Sequence, residues 1–317
     1  MRNAAAIALL VLPVSVARAQ SPVGDFHQHI ASPALAAMRS PAGSPAPGIT
    51  AKDVIAILDS AGIRQALVLS TAYMYGSPTR QVEDEEAKVR NENDWTASQV
   101  SQYPGRLFAA CSVNPLKAYA LQEIARCGSD PVLRRALKLH FGNSDVRTDI
   151  PEQLDQMKRV FRLANDNGMT IVAHMHANID NSRPYGAEQA RVFLEQLLPL
   201  AKDVHVQIAH LAGAGGAANP RADSALAVFA DAIERGDPRM KNVWFDVSAV
   251  IDRRITPANA AKVAGQIRRL GVGRILYGTD AVGGPLGARN GWAAFRTIPL
   301  TEAEFTAIAA NVPPYLR

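Results

Sequence analysis

The side chains best suited to chemistry in this chain are imidazoles, and they are regularly spaced. His27 and His29 stand two residues apart within Gly24 to Ile30, a run expected to be a strand. Successive strand residues point to opposite faces, so the two rings share one face. Together they offer half of a four- or five-coordinate site for a borderline divalent metal such as zinc. His174 and His176 repeat the interval, His140 follows Lys138 by two, and His210 and Asp280 each end another apolar run. Taken singly these signals are weak. A His-x-His pair is often two polar residues at a strand end, an acid after a strand often caps the next helix, and a lone buried histidine is usually a hydrogen-bonded core residue. Taken together they are strong, because a buried cluster of unpaired imidazoles is costly without a cation or partners.

The elements that must position these groups alternate. Runs with strand character begin near Gly24, Arg64, Arg106, Leu133, Met169, Val204, Asn242 and Arg274. Helical patterns lie between them at Thr50 to Ala61, Val82 to Gln102, Leu116 to Cys127, Ile150 to Asn167, Ala187 to Ala201, Ala222 to Arg235 and Pro257 to Leu270, with a last one at Thr301 to Ala310. Thr50 is placed to cap its helix, and Asp149-Ile150-Pro151 reads as a cap followed by a first-turn proline. Strands such as Ala66 to Leu69 and Thr170 to Ala173 are continuously apolar, as when both faces are buried. Alternating strands and helical crossovers imply an α/β fold with a parallel sheet, and eight units imply a distorted (β/α)8 barrel of the TIM type. Chemistry in such a barrel sits at the C-terminal ends of the strands. Six of the seven histidines fall there, and Asp280 ends the eighth strand. His205, near the start of the sixth, is read as structural or surface.

Two segments interrupt the pattern. Ser32 to Gly48, rich in Pro, Ala and Gly, is expected to be a surface loop. Ala281 to Ile298 carries Gly283, Gly284, Gly287, Arg289 and Trp292. It is read either as a closing loop or as a long crossover with a packed Trp292. Gly213 to Gly216 lacks the Lys and Ser/Thr of a phosphate loop, and Glu83 to Glu86 is a solvated helix start.

Composition narrows the function. Residues 1–19 join a positive start, an apolar core and Ala17-Arg18-Ala19, the pattern of a cleaved export signal. The expected mature chain is 20–317, one domain, exported to a periplasmic or extracellular space. No run is apolar for the roughly 20 residues that span a bilayer, so no integral membrane segment is expected. The formal charge is +5, and losing Arg2 and Arg18 with the leader reduces it to +3. With 6% aromatics and no basic stripe, nucleic acid is not an expected partner. A small-molecule substrate is expected, and a homodimer is left open. Of the two cysteines, Cys111 sits in an apolar run and is read as a buried free thiol, although an exported chain can keep a bridge.

The ordered set of motifs resembles the amidohydrolase superfamily, in particular its amidohydrolase-2 branch of mononuclear-metal decarboxylases and lactone hydrolases. The likeness spans nearly the whole mature chain. It rests on Asp25-Phe26-His27-Gln28-His29, Ile171-Val172-Ala173-His174, Ile208-Ala209-His210-Leu211-Ala212-Gly213 and Leu276-Tyr277-Gly278-Thr279-Asp280, with fainter echoes at Pro104 to Phe108, Ser112 to Pro115 and Asn242 to Ser248.

The resemblance implies one divalent metal, zinc or manganese, held by His27, His29, His174 and Asp280. Asp280 is then the acid–base group, and His210 orients the carbonyl or stabilises an oxyanion. His140, Lys138, His176 and Arg289 are the expected substrate contacts. Lys138 also raises the carboxylated lysine that bridges two metals in other branches, but it precedes the strand's last position, and one metal is expected. The implied activity is hydrolysis of a small lactone, ester or amide by metal-activated water. The alternatives are metal-dependent, non-hydrolytic decarboxylation of an aromatic or muconate-like acid, and a catalytically inactive exported metal-binding protein. Lys138, Arg183, Arg253 and Arg289 are the cations that a carboxylated substrate could meet.

Overall fold

Apolar strands separated by amphipathic helices bury both faces when the helices flank a parallel sheet, and eight such units can close that sheet into a barrel. The computed structural model has that form, and it describes residues 20–41, 47–176, 183–216, 219–251, 254–280 and 286–316, excepting the side chains of 286–290. Its strands are β1 (Gly24–His29), β2 (Gln65–Leu69), β3 (Leu107–Ser112), β4 (Ala136–His140), β5 (Thr170–His174), β6 (Val206–Ile208), β7 (Val243–Asp246) and β8 (Ile275–Leu276). They form one sheet in sequence order, with parallel pairing from β1 with β2 to β7 with β8. The Phe26 N–H donates to the Tyr277 carbonyl at 2.9 Å, so the first strand meets the last and the barrel is nearly closed.

Phe26, Leu67, Leu69, Ala110, Val172 and Leu276 fill the barrel, with Leu316 of the terminal turn packed against them. The larger apolar cluster lies between the strands and the outer helices. Among the described residues no helix is long and apolar enough to cross a membrane.

Thr50 caps the helix Ala51–Ala61 in a reciprocal capping box with Asp53, as its position suggested. Elsewhere tertiary context overrides local pattern. Leu133–Arg135 is a 3-10 turn, and the fourth strand starts only at Ala136. The helix expected to reach Ala201 is regular only over Ala187–Val192, then continues as π and 3-10 turns. Pro199 lacks the N–H that an α-helix would need there. Ile150, not Asp149, occupies the N-cap before Pro151, and Asp149 pairs with Arg147 instead.

Two expectations need correction, and of the two readings of Ala281 to Ile298 the crossover with a packed Trp292 is the one that holds. The Ser32 to Gly48 segment contains a helix, Pro33–Arg39, with Ser32 as its cap and Pro33 in its first turn. Buried Glu92 holds that cap, accepting from Ser32 N at 2.9 Å and from Ser32 Oγ at 2.5 Å. The Ala281 to Ile298 segment likewise contains a helix, Leu286–Phe295. Trp292 is packed against Tyr277, Phe295 and Phe305, and its indole N–H donates to the Gln20 carbonyl, so it is core and not a plate over a substrate.

The second correction is Cys111, which is not free. It is bonded to Cys127 across a separation of 16 residues, because the helix Ala120–Ser129 lies back along β3 with the two Cα atoms 6.1 Å apart. For a loop of this length, reduction is expected to lower stability by about 2–4 kcal/mol. Equilibrium denaturation of oxidised and reduced protein would show this, and coincident midpoints would refute it.

Candidate active site

β1 presents His27 and His29 on one face, as their spacing required, with ring centroids 5.2 Å apart. The His27 Nδ1–H donates to Asp246 Oδ2 at 2.9 Å, and the His29 Nδ1–H donates to the Leu69 carbonyl at 2.9 Å. Each bond places the proton on Nδ1 and leaves an Nε2 lone pair facing the cavity. Those Nε2 atoms lie 3.8 and 3.2 Å from Asp280 Oδ1. His210 is tied in the same way, donating from Nδ1 to the Ser248 carbonyl at 2.8 Å, with Nε2 4.0 Å from Asp280 Oδ2.

Backbone strain gathers around these groups. His210, Leu211, Ala212, Ala249 and Asp280 all have positive φ, between 49° and 61°. Non-glycine residues seldom adopt that region, and such strain persists only where the surroundings enforce it. Here the enforcement is visible. The Asp280 N–H donates to the His27 carbonyl at 2.8 Å, the His210 N–H to Asp246 Oδ1 at 3.0 Å, and the Tyr185 hydroxyl to the Ala212 carbonyl. Gly278 permits the approach, since a Cβ there would lie 2.8 Å from the His27 Cβ and 3.1 Å from the Ser248 Cβ.

Asp246, at the end of β7, escaped the sequence reading. It accepts from His27 Nδ1, Gln207 Nε2 (2.7 Å), His210 N, Ser248 N (3.2 Å) and Ser248 Oγ (2.5 Å) while fully buried. Burial alone would raise its pKa, but His27 and the donated bonds outweigh it and hold the carboxyl well below the usual range. A second carboxylate at a strand's C-terminal end, beside Asp280, was the available signal. Buried Asp25 ties the start of β1 to the approach to Asp280, accepting from Gln28 Nε2 at 2.9 Å, Thr279 N at 3.0 Å and Thr279 Oγ1 at 2.5 Å.

A cavity of about 230 Å³ opens over this group, and it brings together His27, His29, His174, His210, Asp280, His140 and Lys138. The His174 ring stacks on His140 at 3.9 Å and lies 4.9 Å from the ring of His210. Lys138 is buried, meets no carboxylate at salt-bridge distance among the described residues, and has Nζ 3.2 Å from His27 Nε2. Burial pushes its pKa down to about 8. Burial, then the charge of Lys138, lowers His27 to about 3, so that ring is neutral near pH 7. Burial opposes ionisation of Asp280, but the surrounding imidazoles of His29, His27 and His210 outweigh it and hold the carboxyl far below the usual carboxylate range.

Of the other expected contacts, His176 and Arg183 do not line this cavity. His176 is buried against Tyr185, 4.3 Å between rings, and its Nε2 is 3.3 Å from Asn219 Nδ2, so it supports the residue that braces Ala212. Arg183 is held by both oxygens of Asp145. Arg289 lies in the helix Leu286–Phe295 with its side chain outside the described part, and Arg253 and residues 1–19, read from sequence as an export signal, also lie outside it. His205 is half-buried on the far side of the barrel, 6.0 Å from the Tyr315 ring. Two cavity residues had drawn no attention in the sequence: Tyr73, after β2, and Arg39, on the helix Pro33–Arg39.

The donor set suits a divalent cation. Ligand atoms about 2.0–2.2 Å from a tetrahedral zinc ion are roughly 3.3–3.6 Å apart, and His29, His27 and Asp280 come close to that, all three within 4.8 Å of one another. His174 lies beside this compact group. Lys138 Nζ stands at the His27 lone pair, and a cation bound there must displace it.

Solved structures share this barrel at low identity. The 5-carboxyvanillate decarboxylase of Sphingomonas paucimobilis superposes with a TM-score of 0.61 at 16% identity, covering 91% of this chain and 96% of that one. A probable 2-pyrone-4,6-dicarboxylic acid hydrolase from Acinetobacter baumannii, with citric acid bound, gives 0.56 at 16% identity over 90% and 96%. An amidohydrolase of Burkholderia multivorans with bound zinc gives 0.56 at 12% identity over 91% and 96%. At these identities the likeness is one of fold. A comparison with curated protein sequences gives no match. The family model Amidohydro_2, described as amidohydrolase, matches residues 25–311, from the first residues of β1 past the helix Glu302–Ala310. That match takes in every rim residue described above, and the chain belongs to this amidohydrolase family.

Proposed function

We propose that the chain is a metal-dependent hydrolase of a small lactone, ester or amide. The observation that carries this reading is the convergence of the His27 and His29 Nε2 lone pairs on Asp280, with each ring's other nitrogen tied down. His27, His29 and Asp280, with His174 beside them, are the residues that would hold the cation. A divalent ion there supplies Lewis-acid polarisation of a carbonyl and lowers the pKa of water to about 7. The residues do the rest. Asp280 is ionised and accepts the proton of the attacking water, then returns it to the leaving oxygen or nitrogen. His210 steadies the carbonyl oxygen, and the small cavity restricts the substrate in size.

One observation favours decarboxylation as the second reading. The Lys138 ammonium is buried beside His27 with no carboxylate partner among the described residues, as a site for a carboxylated substrate would have it. Carbon dioxide release against water addition separates the two chemistries.

Elemental mass spectrometry tests the metal. About one divalent ion per chain is expected in the wild type, and its loss in the double variant His27→Ala, His29→Ala. A wild type that stays metal-free after reconstitution with zinc or manganese would sink the proposal.

A further inference from the structure

Tyr73 differs from three other tyrosines that the fold covers wholly or in part. Tyr119, Tyr185 and Tyr315 each donate to a protein acceptor. Tyr73 is 2% exposed and lines the cavity, yet its hydroxyl has no hydrogen-bond partner among the described residues. The hydroxyl oxygen is not sealed from solvent, so it opens onto the cavity as a donor that phenylalanine would lack. The ring is held in place by its own backbone, since the Tyr73 N–H donates to Ser112 Oγ at 3.1 Å. Burial, and then the charge of Asp280, raises the phenol's pKa while Arg39 pulls it down, so it remains a donor.

His140, with its ring 5.0 Å from that of Tyr73, differs from His27, His29 and His210 in the location of its proton. Its Nδ1 accepts from the Asn143 N–H at 3.0 Å, so the neutral ring carries its proton on Nε2. The reasoning that leaves lone pairs on His27, His29 and His210 therefore leaves a donor on His140. The tight turn behind it needs Gly142, where a Cβ would come within 2.9 Å of the His176 carbonyl.

The third member is a cation. Arg39 is exposed at the cavity mouth and has no carboxylate partner among the described residues, whereas Arg106, Arg126, Arg268 and Arg269 are all paired. The helix that carries it is anchored by Glu92 through Ser32. β4 stands halfway round the eight-stranded barrel from β8, so His140 approaches the cavity from across Asp280.

We infer that Tyr73 and His140 form a donor pair that binds a carboxylate of the substrate, with the Arg39 guanidinium as its counter-charge. Two neutral donors alone would suit a carbonyl, but the unpaired guanidinium selects an anion. This inference rests on reading the cavity as the substrate site and on no particular chemistry within it.

The test uses benzoate as the probe and benzyl alcohol as its neutral counterpart, with calorimetric binding and thermal melting of wild type, Tyr73→Phe and Arg39→Met. Wild type is expected to bind benzoate at least tenfold more tightly than benzyl alcohol, and each variant to lose at least tenfold in benzoate affinity. Tyr73→Phe is expected to melt near the wild-type temperature. Unchanged benzoate affinity in Tyr73→Phe, no benzoate binding by wild type, or a marked fall in the melting temperature of Tyr73→Phe would each overturn the assignment. Because the readout is binding, failure to find hydrolytic turnover would count against the proposed chemistry and leave this result standing.

Discussion

Asp280→Asn is expected to lower kcat/KM by about 10²–10⁴-fold, the usual contribution of a positioned acid–base group, in a protein that still folds. The amide keeps the size of the carboxyl, and the main-chain bond from Asp280 N to the His27 carbonyl, which holds the strained φ of 51°, is untouched. What is lost is the charge. The His27 and His29 lone pairs that face Asp280 Oδ1 would meet an amide that cannot take up a proton at neutral pH. Turnover and metal content measured on one preparation separate the effects. Wild-type turnover with metal retained would remove Asp280 from the acid–base role, and metal loss alone would make it purely a ligand.

Asp246→Asn acts at one remove. Asp246 Oδ2 accepts from His27 Nδ1 and Gln207 Nε2, and Oδ1 accepts from His210 N and from Ser248. An amide presents a donor on one side, so it either abandons buried donors or makes His27 Nδ1 accept, which moves the imidazole proton to Nε2 and abolishes the lone pair facing Asp280. Metal affinity is expected to fall about 10–100-fold, the usual effect of disturbing the partner that orients a ligand. Metal titration of the apo variant reads this directly. Affinity within twofold of wild type would show that the tautomer of His27 does not govern the site.

These variants probe residues of very different legibility. His27, His29, His174, His210 and Asp280 could be read from sequence because strand alternation and the barrel rule are local and directional: a polar residue at the C-terminal end of an apolar run must emerge on the rim. The eight-unit architecture was legible for the same reason, since each βα unit carries its own periodicity. The short ends were less so. β8 has only Ile275–Leu276 in ladder pairing because the chain then departs to carry Asp280 in a left-handed conformation, a choice enforced by His27 and Gly278.

Asp246, Tyr73 and Arg39 could not be read in this way, because what distinguishes them is a partner or the lack of one. Asp246 matters through five donors that β1, β6 and β7 bring to it, and Tyr73 through a hydroxyl that nothing described satisfies. The disulfide belongs with them, since only the packing of a helix on β3 sets the distance between Cys111 and Cys127. The sequence by itself determined the barrel and which side chains reach its rim, because both follow from short-range periodicity. The tertiary structure alone decided where His27, His29, His140 and His210 carry their protons, which helix brings an arginine to the cavity and which donors remain unpaired, because hydrogen bonds between strands far apart in sequence exist only once the sheet has closed.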